Sequence, residues 1–315
     1  MSFTVKIKEE ISNIKSTKSE LIAEVSAYIK NNGVITADKI TLDTEIKSVV
    51  DRMVDSIKLI TDINPKVEVI GNLNFSKNSL YQITISENTN ALLKDLGILD
   101  ENNKRLPIVP EYIVGANEEI RAYIRGAFFA SGSVSDPKVS RYHFELLTQF
   151  REEAVFLQKL LNLFDLNAKI LSREKGYMIY IKESEKISDL LKLIGANNAV
   201  MYYENIRVYR EQKNKTNRLN NMEQANTDRA YETANEQLKQ IEIIEKNDGI
   251  NLLDDRTKIA LEYRKKYPES SMKELAEIIT EETGKHLSKS GINHRFRKIK
   301  DLAESFEKMK IQNKL

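Results

Sequence analysis

Along the first two hundred residues the apolar positions pass twice through the same set of spacings. Residues 19–32 place apolar side chains at helical intervals and run into Gly33; residues 34–42 read as strand, and residues 45–61 return to helical spacing. Strands follow near 67–70 and 80–85, and a short helix closes at Gly97. The second pass has a helix over 118–131 with Gly132 after it, a strand around 142–147 and a helix over 151–164. It ends with strands near 168–171 and 177–181 and a helix closing at Gly195. Both halves read as αββαββα-like. Any single glycine here is ordinary, because glycine supplies the left-handed residue that many helix C-caps need. The agreement of the whole order, with Gly33 to Gly132 and Gly97 to Gly195 separated by nearly the same offset, argues for an internal duplication.

Beyond residue 200 the pattern changes. Residues 205–219 carry Arg207, Arg210, Lys213, Lys215 and Arg218 against one acid, Glu211, and residues 220–240 are polar but compatible with helix, which predicts a solvated connecting helix. Asn217, Asn220, Asn221, Asn226 and Asn235 are poor interior helix formers, so kinks, caps or specific contacts are expected there. Asp248-Gly249 marks a turn and a boundary. Residues 254–267 then place Ile259, Tyr263 and Tyr267 on one helical stripe, and Pro268 ends it. Ser271 and Glu274 match a capping box for a second helix that buries Leu275, Ala276 and Ile279 and is broken by Gly284. Ser288 offers an N-cap to a third helix with Ile292, Phe296, Ile299 and Ala303 on one stripe. Three helices in this order, with a short break before the last, predict a helix-turn-helix.

Composition narrows the class. With 315 residues, 41% hydrophobic and 30% charged, the chain has room for two globular units and is neither a disordered nor a membrane sequence. The absence of cysteine excludes disulfides, thiolate-zinc sites and cysteine nucleophiles, and a cytoplasmic location is expected. Lys6, Lys8, Glu9 and Glu10 interrupt any signal-peptide core, and no uncharged apolar run approaches the roughly 20 residues of a membrane span.

The net charge of +2 says little, whereas its distribution says more: residues 283–300 hold Lys285, Lys289, Arg295, Arg297, Lys298 and Lys300 and no acid. On the third helix, the face opposite the apolar stripe carries Ser290, His294, Arg297 and Lys298, flanked by Lys289 and Asn293. This is the pattern of a recognition helix for double-stranded DNA. Arg297 suits a guanine edge, Asn293 an adenine edge and the lysines phosphates, while Gly291 would let the backbone approach DNA. The expected DNA-binding set is Lys289, Ser290, Asn293, His294, Arg295, Arg297 and Lys298.

Residues 124–134, Ile124-Arg-Gly-Ala-Phe-Phe-Ala-Ser-Gly-Ser-Val134, resemble the motif helix of the LAGLIDADG homing-endonuclease fold. Together with Ser288-Lys-Ser-Gly-Ile-Asn-His-Arg295, and with Asn217-Arg-Leu-Asn-Asn221 and Ala225-Asn226, they make the chain similar to the WhiA family over essentially its length to about Ala303. The resemblance implies an α+β protein: a duplicated LAGLIDADG-like αββαββα domain over 1–204, with repeats of about 1–110 and 111–204, a linker helix over 205–247 and an all-α helix-turn-helix domain over 248–315. It also implies a bacterial transcription regulator tied to cell division or sporulation, nucleoid-associated in the cytoplasm, with double-stranded DNA and other transcription proteins as partners.

In active nucleases of that fold an acidic residue precedes the final motif glycine of each half and holds divalent metal. Here those positions are Asn32 and Ser131, which are poor ligands for a hard cation. The implied reading is therefore not an enzyme, with no catalytic residue, metal or cofactor. Asp136, five residues after Ser131, is expected in an Asp-Pro turn. Small residues such as Ala27, Gly126 and Ala130 are expected to let the two motif helices pack closely. The alternatives left open are a metal-dependent DNA endonuclease and a nonspecific DNA-binding division or nucleoid adaptor.

Overall fold

A computed structural model describes residues 1–70 and 79–312. The chain forms two compact units, Met1–Arg210 and Glu211–Leu315. The helices are α1 (Phe3–Ile11), α2 (Lys18–Asn32), α3 (Lys47–Ile60), α4 (Thr89–Asp95), α5 (Asn117–Ser131), α6 (Arg151–Asn162), α7 (Ser184–Leu193), α8 (Asn197–Lys246), α9 (Asp255–Lys266), α10 (Met272–Thr283) and α11 (Lys289–Gln312). The strands are β1 (Val34–Ile35), β2 (Ile40–Thr44), β3 (Lys66–Val69), β4 (Tyr81–Ile85), β5 (Ser133–Val134), β6 (Phe144–Thr148), β7 (Lys169–Arg173) and β8 (Gly176–Ile181). None of the described helices is long and apolar enough to cross a membrane.

The duplication is explicit in the sheets. Each repeat forms an antiparallel four-stranded sheet, ordered β1-β2-β4-β3 in the first and β5-β6-β8-β7 in the second. The strand-like segment 34–42 divides into β1 and β2, paired Val34 to Thr41 and Ile35 to Ile40, because the Thr36 amide donates to Lys39 O at 2.9 Å and turns the chain. One continuous core takes Ile40, Leu42, Ile83 and Ile85 from one sheet, Phe144, Leu146, Ile179 and Ile181 from the other, and the buried faces of the helices. Helix α1, which the apolar pattern did not single out, adds Phe3, Ile7 and Ile11 to it.

The two motif helices α2 and α5 meet backbone to backbone. A Cβ added to Gly126 would lie 2.1 Å from Glu24 O and 3.0 Å from the Ala27 Cβ, so no larger residue fits at this crossing. The Glu24 side chain beside it has no exposed surface and joins three helices. Arg52 Nε of α3 donates to Glu24 Oε1 at 2.7 Å and Arg125 Nε of α5 to Oε2 at 2.6 Å. Arg52 also donates to Ile14 O at 2.6 Å, and both guanidinia reach Ser16 Oγ. A buried ion pair tolerates desolvation only when its remaining donors are matched in this way.

The C-terminal carbonyls of the same two helices each meet a cation. Lys8 Nζ donates to Phe129 O at 3.0 Å and Arg105 Nη2 to Lys30 O at 3.1 Å, the favourable sign at the negative end of a helix dipole. Burial lowers the Lys8 pKa to about 8. Close by, Glu153 of α6 is 1% exposed, and among the described residues neither of its carboxylate oxygens has a donor in good hydrogen-bond geometry, although the Asn31 side chain lies beside it. Burial raises its pKa to about 7, against the pull of Lys30, Arg105 and the Asn31 side chain.

Two of the four repeat glycines do not play the expected capping role. Gly97 and Gly195 have φ of +62° and +86°, the left-handed conformation anticipated. Gly33 and Gly132 have φ of −72° and −74°. They are required for space instead, since a Cβ would meet Ile29 O at 2.5 Å or the Phe128 ring at 2.1 Å.

Helix α8 runs unbroken for 50 residues. Glu10 caps its start, accepting from the amides of Asn198 at 2.6 Å and Ala199 at 3.0 Å. Residues 211–229 are exposed on every side, and the asparagines there do not interrupt the helix, although each favours it less than Ala by about 0.6 kcal/mol. The segment expected as linker also does more than connect: its last turns send Ile241 and Ile244 into the core of the second unit, with Ala260, Leu261, Leu275, Ile279, Ile292, Phe296 and Ile299.

Two outcomes are expected. Gly126→Ala should lower the unfolding free energy by about 3 kcal/mol in chemical denaturation, despite the better helix propensity of Ala, because the clash is with backbone. Glu153→Gln should stabilise the protein increasingly between about pH 4.5 and 7, levelling at about 3 kcal/mol above that range. The raised folded-state pKa means that the native Glu153 contributes best when protonated and loses that contribution as pH rises through about 7. Urea midpoints at pH 5 and pH 8 measure the difference.

Candidate nucleic-acid interface

The second unit presents α11 on a small three-helix platform. Asp254 caps α9, accepting from Thr257 N at 3.0 Å and Thr257 Oγ1 at 3.0 Å. The Ser271–Glu274 capping box starts α10: Glu274 N donates to Ser271 Oγ at 3.3 Å and Ser271 N to Glu274 Oε2 at 2.8 Å. Gly284, with φ of +66°, ends α10 as the sequence requires. Leu287 N then donates to Thr280 Oγ1 at 3.0 Å, pinning the turn, and Ser288 Oγ accepts from Gly291 N at 3.1 Å to start α11.

The buried seam of α9 differs from the expected stripe. Ile259, Tyr263 and Tyr267 are only partly buried, and Thr257, Ala260, Leu261 and Arg264 face the core. Both tyrosine hydroxyls and Lys266 Nζ instead converge on Glu282 of α10, whose carboxyl is held down at about 2 by the Lys266 contact first and the two phenols after it.

Arg264, 1% exposed, is a buried cation that apolar spacing does not predict. Its Nε donates to Gln237 Oε1 of α8 at 2.9 Å and its Nη1 to Ser270 O at 2.5 Å, and its guanidinium lies 5.5 Å from the Phe296 ring centroid of α11. One side chain thus links the end of α8, the turn before α10 and the core side of α11. Burial lowers its proton affinity.

The apolar stripe of α11, Ile292, Phe296, Ile299 and Ala303, is buried as the spacing demands, which turns Lys289, Ser290, Asn293, His294, Arg297 and Lys298 outward. These residues are not equivalent in space. Asn293 and Arg297 line a groove shared with Thr233, Glu236 and Gln240 of α8. Arg295 is half-buried beside Arg256 on the α9 side. Lys298 Nζ donates to Asp254 Oδ2 at 2.8 Å, and this contact holds the Asp254 carboxyl well below the usual range. The segment that lacks acids in sequence therefore acquires one from 44 residues away in the fold. Gly291 is half-buried, and a Cβ there would lie 3.0 Å from Leu287 Cδ1.

In the first unit, the two positions that would hold metal in a nuclease are tied to neighbouring strands by the same pattern of bonds. Asn32 Oδ1 accepts from Asp43 N of β2 at 3.0 Å while its Nδ2 donates to Asp43 O at 3.1 Å. Ser131 Oγ accepts from Leu147 N of β6 at 3.1 Å and donates to Leu147 O at 2.7 Å. Each side chain acts as donor and acceptor at once, which an ionised carboxylate cannot do. Asp136 is likewise engaged, accepting from Lys138 N at 2.8 Å within its turn and from Tyr202 Oη at 3.1 Å. Among the described residues no group of three or more His, Asp or Glu side chains is placed to hold a metal ion.

Comparison with known proteins agrees with this architecture. The model of the WhiA N-terminal LAGLIDADG-like domain matches residues 18–99, that of the WhiA LAGLIDADG-like domain residues 120–213, and that of the WhiA C-terminal HTH domain residues 216–303. The chain is 37% identical over 308 residues to a probable cell division protein WhiA of Brevibacillus brevis, covering 96% of this chain and 97% of that one. It is 36% identical over 311 residues to the protein of the same name in Enterococcus faecalis, covering 96% and 98%. In three dimensions it is similar to full-length WhiA from Thermatoga maritima, with a TM-score of 0.59, 22% identity and coverage of 97% and 99%.

Asn32→Asp is expected to destabilise the first unit by about 1–3 kcal/mol above about pH 4, because the carboxylate sets an acceptor against Asp43 O and leaves that carbonyl without its donor. Below that pH the protonated acid donates again and the loss should shrink. Thermal unfolding at pH 3.5 and 7.5 measures this.

Proposed function

The chain belongs to the WhiA family, and from that premise we propose that it is a sequence-specific DNA-binding regulator of transcription, acting on genes of cell division or sporulation type. The observation that carries this reading is the outward face of α11: Lys289 and Arg297 are exposed cations with no carboxylate partner among the described residues, on a helix whose opposite face is locked into a core. In this reading Arg297 and Asn293 contact base edges in the major groove, Ser290 and His294 lie at the centre of the contact, and Lys289, Arg295 and Lys298 meet phosphates. Lys298 gives up its bond to Asp254 to do so.

The first unit is read as catalytically inert. Asn32 and Ser131 are neutral and held by strand backbone, so the site lacks the carboxylate charge that a magnesium ion needs. The protein is then a cytoplasmic, nucleoid-associated factor whose partners are double-stranded DNA and other transcription proteins. The relatives' name, probable cell division protein, supports the choice of target genes.

The full chain should enrich a defined motif from a random duplex library. Arg297→Ala should weaken binding to the selected duplex by about 1–3 kcal/mol and relax preference at one position. Lys289→Ala should weaken all duplexes alike and reduce the salt slope by about one. Enrichment of no motif would sink the regulator reading in favour of a nonspecific adaptor. Magnesium-dependent nicking of plasmid by the purified chain would overturn the inert assignment.

A further inference from the structure

The exposed stretch of α8 carries a second polar pattern. At 100° per residue, Arg210, Asn214, Asn217, Arg218, Asn221 and Ala225 fall within an arc of about 100°, one stripe of the helix. From Asn214 to Ala225 every member is exposed, and no acid lies on the stripe between Arg210 and Ala225. Arg210 at its start is engaged with Pro137 O at 2.6 Å and Ser140 O at 2.8 Å. Arg218 on the stripe, and Lys213 and Lys215 beside it, have no carboxylate partner among the described residues. Asparagine is a poor choice for an exposed helix, and three on one face weaken α8 without packing against anything that would compensate.

We propose that this stripe is a second DNA-contacting element, in which Asn214, Asn217 and Asn221 reach the edges of a duplex groove and Lys213, Lys215 and Arg218 neutralise the adjoining phosphates. Side-chain amides pair with adenine through a donor and an acceptor, and guanidinium binds guanine or phosphate, so the chemistry of the stripe matches a nucleic acid rather than an apolar or basic protein surface. The span from Asn214 to Ala225 is about 17 Å, enough to follow about five base pairs. The proposal rests on the DNA-binding reading given above. It assigns part of the affinity to α8, ahead of the three helices α9, α10 and α11.

The test uses the full chain and a fluorescent duplex that the wild-type protein selects from a random library. Asn214→Ala, Asn217→Ala and Asn221→Ala combined should lower affinity tenfold or more and shorten the hydroxyl-radical footprint by about five base pairs. Helix content should not fall, because Ala is the better helix former, so lost binding cannot be attributed to a melted α8. Lys213→Ala with Lys215→Ala should reduce the salt slope by about two. Unchanged affinity and footprint in the asparagine variant overturn the proposal. If Arg297→Ala abolishes specificity while the asparagine variant binds as wild type, this inference fails and the helix-turn-helix reading stands; if the wild-type chain selects no duplex, both fail.

Discussion

The contact between Gly126 and the backbone of Glu24 constrains the whole first unit. Because α2 and α5 touch without an intervening side chain, the two repeats share one core, and the residues around the crossing must be small or fully matched. Glu24 is matched by Arg52 and Arg125, which brings α3 into the same joint. A cation at a helix end adds to it: Lys8 of the first repeat reaches the C-terminal carbonyl of Phe129 in the motif helix of the second. A duplicated chain is thereby held as a single body.

That joint also decides what the ends of the motif helices do. Gly33 and Gly132 let each chain leave its helix in an extended conformation and enter a strand at once. The residue before each glycine is then close to the neighbouring strand, where Asn32 and Ser131 satisfy one N–H and one C=O apiece. Each of these contacts requires a donor as well as an acceptor on the one side chain.

In the second unit the comparable residue is Arg264. A fully buried guanidinium would ordinarily be unfavourable, yet it reaches Gln237, Ser270 and the face of Phe296, and so draws the end of α8 into the platform under α11. The outward basic face of α11 depends on this inner arrangement, and the pairing of Lys298 with Asp254 tempers its charge.

Period and punctuation were enough to read the order of elements in both repeats and the three helices of the C-terminal unit, because apolar spacing, capping boxes and turn glycines act over a few residues. The buried stripe of α11, and with it the outward set from Lys289 to Lys298, followed from the same local rule. Helix α1 escaped it because its short apolar set is interrupted by charges, one of which, Lys8, is itself buried. What only the tertiary structure decided were the long-range pairings: Glu24 with Arg52 and Arg125, Lys298 with Asp254, Arg264 with α8, and Asn32 and Ser131 with their strands. Local spacing fixes which face of an element is apolar. Whether a charged or polar side chain is buried, paired or free depends on groups that folding brings to it from elsewhere in the chain.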